Sequence, residues 1–293
     1  IIDCGTNTFH LLIVDVNYDG TYSVVHKEKQ PVKIGEGGIE KNIITDTAIK
    51  RAITTLKIFR RTIDINKIPI SNVTATATSA FRNAKNGLIV CKIIDQVTGI
   101  KIQVINGETE ANLIYNGVKK AVNLTNENSL IIDIGGGSVE CILCNSDGIK
   151  WLKSYEIGGQ RLLENFHLSD PINQVEIKKL TKYLNTELND LATECSNLNP
   201  TQLIGASGTF DTFSEIYSTR YNVNFNENTT LSFNIPIKST IEIIDDIIKK
   251  NRKERLMIPG MISMRVDMIV VASLLVKKIL LMNSFNKITT TTY

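Results

Sequence analysis

Two short segments, 130 positions apart, repeat one order of chemical groups: Asp3-Cys4-Gly5-Thr6-Asn7-Thr8 and Asp133-Ile134-Gly135-Gly136-Gly137-Ser138. Each sets a carboxylate before a glycine turn and a hydroxyl after it. A glycine-rich turn that follows a strand exposes successive backbone N–H groups, which can form an anion-binding nest. Thr6, Asn7, Thr8 and Ser138 add side-chain donors, and Asp3 and Asp133 could hold a hydrated divalent cation facing the phosphates. One such turn alone is more often a plain hairpin, with glycine present for turn geometry. Two matching turns, each preceded by Asp, point to phosphate chemistry.

Other segments can join that chemistry. Gly205-Ala206-Ser207-Gly208-Thr209 is a third glycine turn after a strand, or else a strand-to-helix turn with Thr209 near a cap. Gly107-Glu108-Thr109-Glu110-Ala111 opens a helix between the two phosphate turns; a carboxylate there could orient and deprotonate a water. The same acids also suit a first helical turn for the sake of the macrodipole. Arg82 could contact phosphate in bidentate fashion. Lys33 before Gly35-Glu36-Gly37 and Arg161 after Gly158-Gly159 are further cations beside glycines, each ordinary as a solvated charge. His10, His26 and His167 form no spaced pair. Cys141 and Cys144 read as buried strand residues, because one Cys-x-x-Cys pair cannot complete a four-ligand zinc site.

These groups need elements to position them. Each turn lies between apolar strands, and each second strand, Phe9–Val16 or Val139–Cys144, meets an Asp-Gly hairpin signal at Asp19-Gly20 or Asp147-Gly148. A strand–turn–strand–turn–strand unit therefore occurs twice. Thr45 can cap an amphipathic helix running to Ile63, with Ile49, Ile53, Leu56 and Phe59 on one face. Asn72–Ser79 reads as a strand, Ser79–Gly87 as a loop before a helix, and Ile102–Ile105 as a short strand. Asp170-Pro171 is expected to start a long helix toward Cys195, with Pro in the first helical position. Leu203–Ala206 reads as a strand, and Ser239–Lys250 and Ser263–Leu281 as helices. Mixed strands and helices argue an α/β protein. The duplication divides the chain into 1–120 and 121–293, near the polar stretch Lys119–Asn128.

The 293 residues suit two domains, with 42% hydrophobic and 22% charged residues as in ordinary globular chains. A net charge of +3 does not by itself diagnose a polyanion partner. Five cysteines without a framework suggest a reducing compartment, and a cytoplasmic protein is the expectation. The most apolar run, Met268–Val276, is far short of the roughly 20 residues of a spanning helix. The chain opens on Ile1 inside an apparent strand, so a few residues are expected to precede it.

In this order the motifs resemble the exopolyphosphatase and guanosine pentaphosphate phosphatase family, of the actin-like ATPase superfamily. Asp3–His10 is similar to the family's first phosphate loop, with Thr in place of both Ser. Thr76–Arg82 resembles the segment whose Arg meets phosphate, and Ile105–Ala111 the segment with the catalytic Glu. Asp133–Glu140 is similar to the second loop and its Glu; Gly158–Leu162, Pro259–Met261, Arg265 and Asp267 also fit. Lys33 stands where the family usually has Arg, and the chain stops near Tyr293, short of the long members' C-terminal helical region.

The resemblance implies two duplicated ribonuclease H-like domains with an active-site cleft between them. It implies exopolyphosphatase activity by metal-assisted attack of water, with Glu110 as base or water-positioner and Glu108 as its rival. Gly5, Thr6, Asn7, Thr8, Arg82, Gly135, Gly136, Gly137, Ser138, Gly205, Ser207, Gly208, Lys33, Arg161 and Arg265 would hold phosphate, and Asp133 and Glu140 would position Mg²⁺. The expected partner is inorganic polyphosphate or guanosine pentaphosphate, with no nucleic acid and no membrane; a homodimer is compatible. The rivals are an ATP-dependent kinase of the superfamily and a sensor that binds without turnover.

Overall fold

The computed structural model describes residues 1–225 and 230–291. Thr292, the end of a C-terminal threonine run, lies outside them. The chain forms two compact units, Ile1–Gly107 and Glu108–Tyr293.

The first unit begins with strands β1 (Ile2–Cys4), β2 (Thr8–Val16) and β3 (Tyr22–Pro31). Helix α1 (Asp46–Ile65) follows, then β4 (Ala75–Ala77), α2 (Ser79–Asn83), α3 (Gly87–Thr98) and β5 (Ile102–Val104). The strand order is β3-β2-β1-β4-β5. β1 pairs antiparallel with β2 and parallel with β4. Alternation along the strands sends Ile2, Cys4, Phe9, Leu11 and Ile13 into one core with Leu56, Phe59 and Ile94 of the helices. α1 starts where expected, because the Thr45 side chain accepts the Ala48 N–H at 3.3 Å.

The second unit contains α4 (Gly107–Ala121), β6 (Ser129–Ile134), β7 (Val139–Asn145), β8 (Gly148–Tyr155), α5 (Gly159–Phe166), α6 (Gln174–Glu187) and α7 (Asn189–Leu198). It continues with β9 (Gln202–Gly205), α8 (Gly208–Tyr221), β10 (Ser232–Ile235), α9 (Ile237–Lys249), α10 (Arg252–Leu256), α11 (Ile269–Leu280) and β11 (Lys287–Thr291). Its order is β10-β11-β9-β6-β7-β8. Read from β8, the arrangement repeats that of the first unit, with β6 antiparallel to β7 and parallel to β9, and with β10 as an added edge. This is the ribonuclease H-like α/β architecture twice over: the repeat implied the duplication and the family resemblance the fold.

Several local expectations differ from the structure. The segment after β4 is the short helix α2, not a loop; five residues are too few to show helical periodicity. The strand before it is only Ala75–Ala77. Asp170-Pro171 does not start a helix. Asn173 does, through a capping box with Glu176, and the expected long helix divides into α6 and α7 at Leu188. The last helix begins at Ile269 and not Ser263, where a short 3₁₀ turn lies instead. Ser207, not Thr209, is the N-cap residue of α8.

The units also divide at Gly107/Glu108, ahead of the polar stretch near residue 120. The reason is apolar packing. Ala111, Tyr115 and Val118 of α4 bury against Ile131, Ile142, Cys144 and Ile204 of the second sheet. Full burial of such side chains stabilises by about 1.5–3 kcal/mol each for the larger ones.

Candidate functional site

Both glycine turns close a hairpin. In the first, the Gly5 N–H donates to the Thr8 carbonyl at 3.1 Å. A Cβ on Gly5 would stand 3.0 Å from the Thr8 oxygen, and one on Gly135 would stand 3.1 Å from the Ser138 oxygen. The two turns therefore share this close approach, and a side chain at the first position of either would crowd the turn's own carbonyl.

Their carbonyls are held from behind. In the first unit, Val32 N–H and Lys33 N–H donate to the Asn7 carbonyl at 2.9 and 2.8 Å, and Gly35 N–H donates to the Thr6 carbonyl at 3.3 Å. In the second, the Gly158, Gly159 and Gln160 N–H groups donate to Gly137, Gly135 and Gly136 at 3.1, 2.8 and 2.8 Å. Neither turn contains a cis peptide. In a trans peptide unit the C=O and the following N–H point in opposite directions. Fixing these carbonyls on one side turns the N–H groups of Asn7 and Thr8, and of Gly136, Gly137 and Ser138, to the other. An anion-binding concavity of the kind expected from the sequence requires N–H groups aligned in this way.

Lys33 takes part through its backbone. Its φ is +49°, a left-handed conformation that costs a non-glycine residue roughly 1–2 kcal/mol. Its ammonium is half-exposed and lies 3.9 Å from Glu36. Arg82, on α2, donates to the Ile105 carbonyl at 3.2 Å and so anchors the end of β5. Arg161 also works from behind: its Nε donates to the Gly137 carbonyl at 3.0 Å, and Glu156 lies 3.5 Å away. That bond places Arg161 on the carbonyl side of the second turn, away from its N–H face.

Carboxylates collect on one face of the second sheet. Asp133 pairs across the ladder with Glu140, and Glu140 with Ser154. Directly opposed residues share a face. Asp133 lies on the same face as Ile131, and Glu140 on that of Ile142, which is the face α4 covers. Glu140 is buried, and Ser154 donates to its Oε1 at 2.7 Å. Glu110 is in the first turn of α4, one residue before buried Ala111 and half-buried, whereas Glu108 is exposed. Sequence reading missed Ser154; its signal is the strand register, which no motif displays.

The third turn, between β9 and α8, has its own features. The Ser207 hydroxyl is buried without a hydrogen-bond partner and does not cap α8. An orphaned buried hydroxyl costs about 1–3 kcal/mol, so a ligand oxygen would be well received there. Arg265 lies flat on Gly208, where an added Cβ would meet its guanidinium at 2.2 Å. Burial lowers the Arg265 pKa, and the carboxylates of Asp211 and Asp133 oppose that shift. Arg265 is thus a neighbour of Asp133 as well as of the turn.

Among the described residues no three or more His, Cys, Asp or Glu side chains gather as a metal-binding group. Mg²⁺ does not need such a group, since it commonly takes one or two carboxylates, several waters and substrate phosphate oxygens. Asp133 and Glu140, adjacent on one sheet face, fit that donor set. Cys141 and Cys144 do not form a site. They face opposite cores, and burial pushes the Cys144 thiol up to about 12 and that of Cys141 well above its usual value.

Comparison with known proteins identifies the family. The profile of the Ppx/GppA phosphatase family matches residues 13–293. A crystal structure of an exopolyphosphatase from Cytophaga hutchinsonii is 40% identical and covers 100% of this chain and 93% of its own, with a TM-score of 0.95. A bifunctional 3-dehydroquinate synthase/phosphatase of Fusobacterium nucleatum is 32% identical over 95% of this chain. A guanosine-5'-triphosphate,3'-diphosphate pyrophosphatase of Vibrio parahaemolyticus is 30% identical over 73% of it. The chain spans 42% of the length of each of these two relatives.

Proposed function

The chain belongs to the Ppx/GppA phosphatase family, and from that premise we propose that it releases the terminal orthophosphate of inorganic polyphosphate by attack of water. The observation that carries the proposal is the pair of turns whose carbonyls are tied from behind. Phosphoryl transfer depends on positioning and charge stabilisation more than on covalent catalysis, and prearranged N–H groups provide both. The similarity to the Cytophaga exopolyphosphatase supports the choice of substrate.

The N–H groups of Gly136–Ser138 and the Ser207 hydroxyl receive oxygens of the terminal phosphoryl group. Within the first unit, Gly5–Thr8 and Arg82 would offer phosphate donors of the same kind. The Glu110 carboxylate accepts a proton from the water as its oxygen bonds to phosphorus. The bridging P–O bond breaks, and its electron pair leaves with the shortened chain. Mg²⁺ held by Asp133 and Glu140 would neutralise charge that develops on the phosphate oxygens. Asp133 in turn is steadied by the neighbouring Arg265.

A second reading, hydrolysis of the 5'-terminal phosphate of guanosine pentaphosphate, is favoured by the Vibrio relative. Phosphate release from polyphosphate, from guanosine pentaphosphate, and from ATP with and without an acceptor separates the possibilities. Release from polyphosphate without acceptor is expected. Release confined to the nucleotide would select the second reading, and transfer only in the presence of an acceptor would make the protein a kinase.

A further inference from the structure

We infer that Arg51 is a positioning residue for the first phosphate turn, acting through the backbone of residues 32–35. The inference rests on the reading that Gly5–Thr8 binds phosphate. Arg51 projects from α1 and donates from Nε to the Val32 carbonyl at 2.7 Å and from an Nη to the Lys33 carbonyl at 2.7 Å. That same side of the guanidinium meets Glu36 at 3.1 Å. The two carbonyls it grips belong to the two residues whose N–H groups hold Asn7.

This makes a relay: guanidinium to Val32 and Lys33 carbonyls, their N–H groups to the Asn7 carbonyl, and the opposite end of that peptide, the Thr8 N–H, turned toward substrate. The relay also accounts for the backbone at Lys33. A left-handed non-glycine residue persists where its surroundings over-determine it. Here Lys33 is fixed at its N–H by Asn7 and at its carbonyl by Arg51. The second unit performs the same service differently. Arg161 reaches the Gly137 carbonyl directly, and Gly158 has φ −63°, so no left-handed residue is needed. A guanidinium can fork two carbonyls; a lysine ammonium is a single point donor on a flexible stem.

The test compares Arg51→Ala and Arg51→Lys with Arg60→Ala in the full chain. Arg60 lies on the same helix, bonds Asp64 at 2.9 Å and reaches the Thr98 carbonyl at 3.4 Å, so it controls for loss of an ordinary α1 guanidinium. Two readouts are taken: affinity for inorganic tripolyphosphate, and amide hydrogen exchange of the peptide covering residues 5–9. Arg51→Ala should weaken tripolyphosphate about 10- to 100-fold, the scale of one charge-assisted hydrogen bond. Exchange over residues 5–9 should quicken about tenfold or more. Arg51→Lys should fall between, and Arg60→Ala should match the unaltered protein in both. In phosphate release, KM should rise with kcat within about threefold. The inference is overturned if Arg51→Ala behaves as Arg60→Ala, if exchange changes without affinity, or if affinity changes without exchange. If the unaltered protein neither binds tripolyphosphate nor releases phosphate, the functional reading fails, and exchange over residues 5–9 alone then decides whether Arg51 holds the turn.

Discussion

In the first unit the glycine turn is backed by a strap, Val32–Gly35, itself pinned by Arg51. In the second it is backed by the opening of α5, with Arg161 touching the turn directly. The side chains beside the turns differ more. Across the first ladder stand Asp3, His10 and Lys29; across the second stand Asp133, Glu140 and Ser154. One backbone device has been kept twice, while the polar row beside it is mixed in one unit and acidic in the other. On the proposed reading anion binding can therefore belong to both units, whereas cation binding and proton transfer would belong to the second.

The strongest way to break that division is Glu110→Gln. Gln keeps the shape but takes no proton, so kcat should fall about 10²–10⁴-fold while tripolyphosphate affinity holds. Glu108→Gln should leave kcat near normal, since Glu108 is exposed. Loss in neither variant would remove the second unit's claim to the chemistry, and equal loss in both would overturn the choice of Glu110 over Glu108.

Backing of the turns can be compared by adding one methyl group. A Cβ on Gly158 would stand 2.4–2.5 Å from backbone atoms of Gly136 and Gly137, which cannot give way. Gly158→Ala should cost about 1–3 kcal/mol and impair tripolyphosphate binding. A Cβ on Gly35 would meet side-chain methyls of Thr6 and Ile39 at 2.8 and 3.1 Å. Gly35→Ala should cost less, about 1 kcal/mol, because those methyls can shift. Urea unfolding with binding isotherms checks the order; equal costs would mean that the strap is as rigid as the helix.

How much of this was legible in advance follows from the range of each contact. The Asp-x-Gly turns, the Asp-Gly hairpins and the Thr45 cap are local patterns, and each lies where the residues placed it. The Asn173-x-x-Glu176 capping box was equally local, yet the Asp170-Pro171 signal masked it. Arg51 could not be found that way. Its grip on Val32 and Lys33 spans 19 and 18 residues and ends on carbonyls, which carry no sequence identity. The placement of α4 with the second unit was hidden for a related reason. The polar stretch after it looks like a linker, while the deciding contacts are those of Ala111, Tyr115 and Val118 with strands that come later.

The polar rows offer a gentler comparison. Glu140→Gln should raise the Mg²⁺ concentration for half-maximal activity by about tenfold or more, and His10→Gln should leave it unchanged. A shift in both would spread cation binding over both units.

The smallest effect expected is in acid stability. His167 of the second unit is buried, and neither ring nitrogen has a hydrogen-bond partner. Burial and the Arg255 charge lower its pKa, while Asp170, Glu176 and Asp267 oppose that shift. A lowered histidine pKa means the unfolded chain binds the proton more readily. The stability it contributes is complete above the unfolded value near 6.5 and is lost as pH falls from there toward the folded value. Melting temperature should decline between pH 7 and pH 5, and His167→Phe should flatten part of that decline. An unchanged slope in the variant would assign the acid sensitivity to other groups.

The fixed carbonyls behind each turn also bear on which residues are interchangeable. Thr6-Asn7-Thr8 and Gly136-Gly137-Ser138 differ at every position, yet both can present the same N–H groups, because every residue except proline carries one. Gly5 and Gly135 are less free to change, because a side chain there would press on the turn's own closing carbonyl. A grip made of peptide groups leaves its side chains to vary, so two copies in one chain can diverge in charge and duty while both keep the same backbone donors.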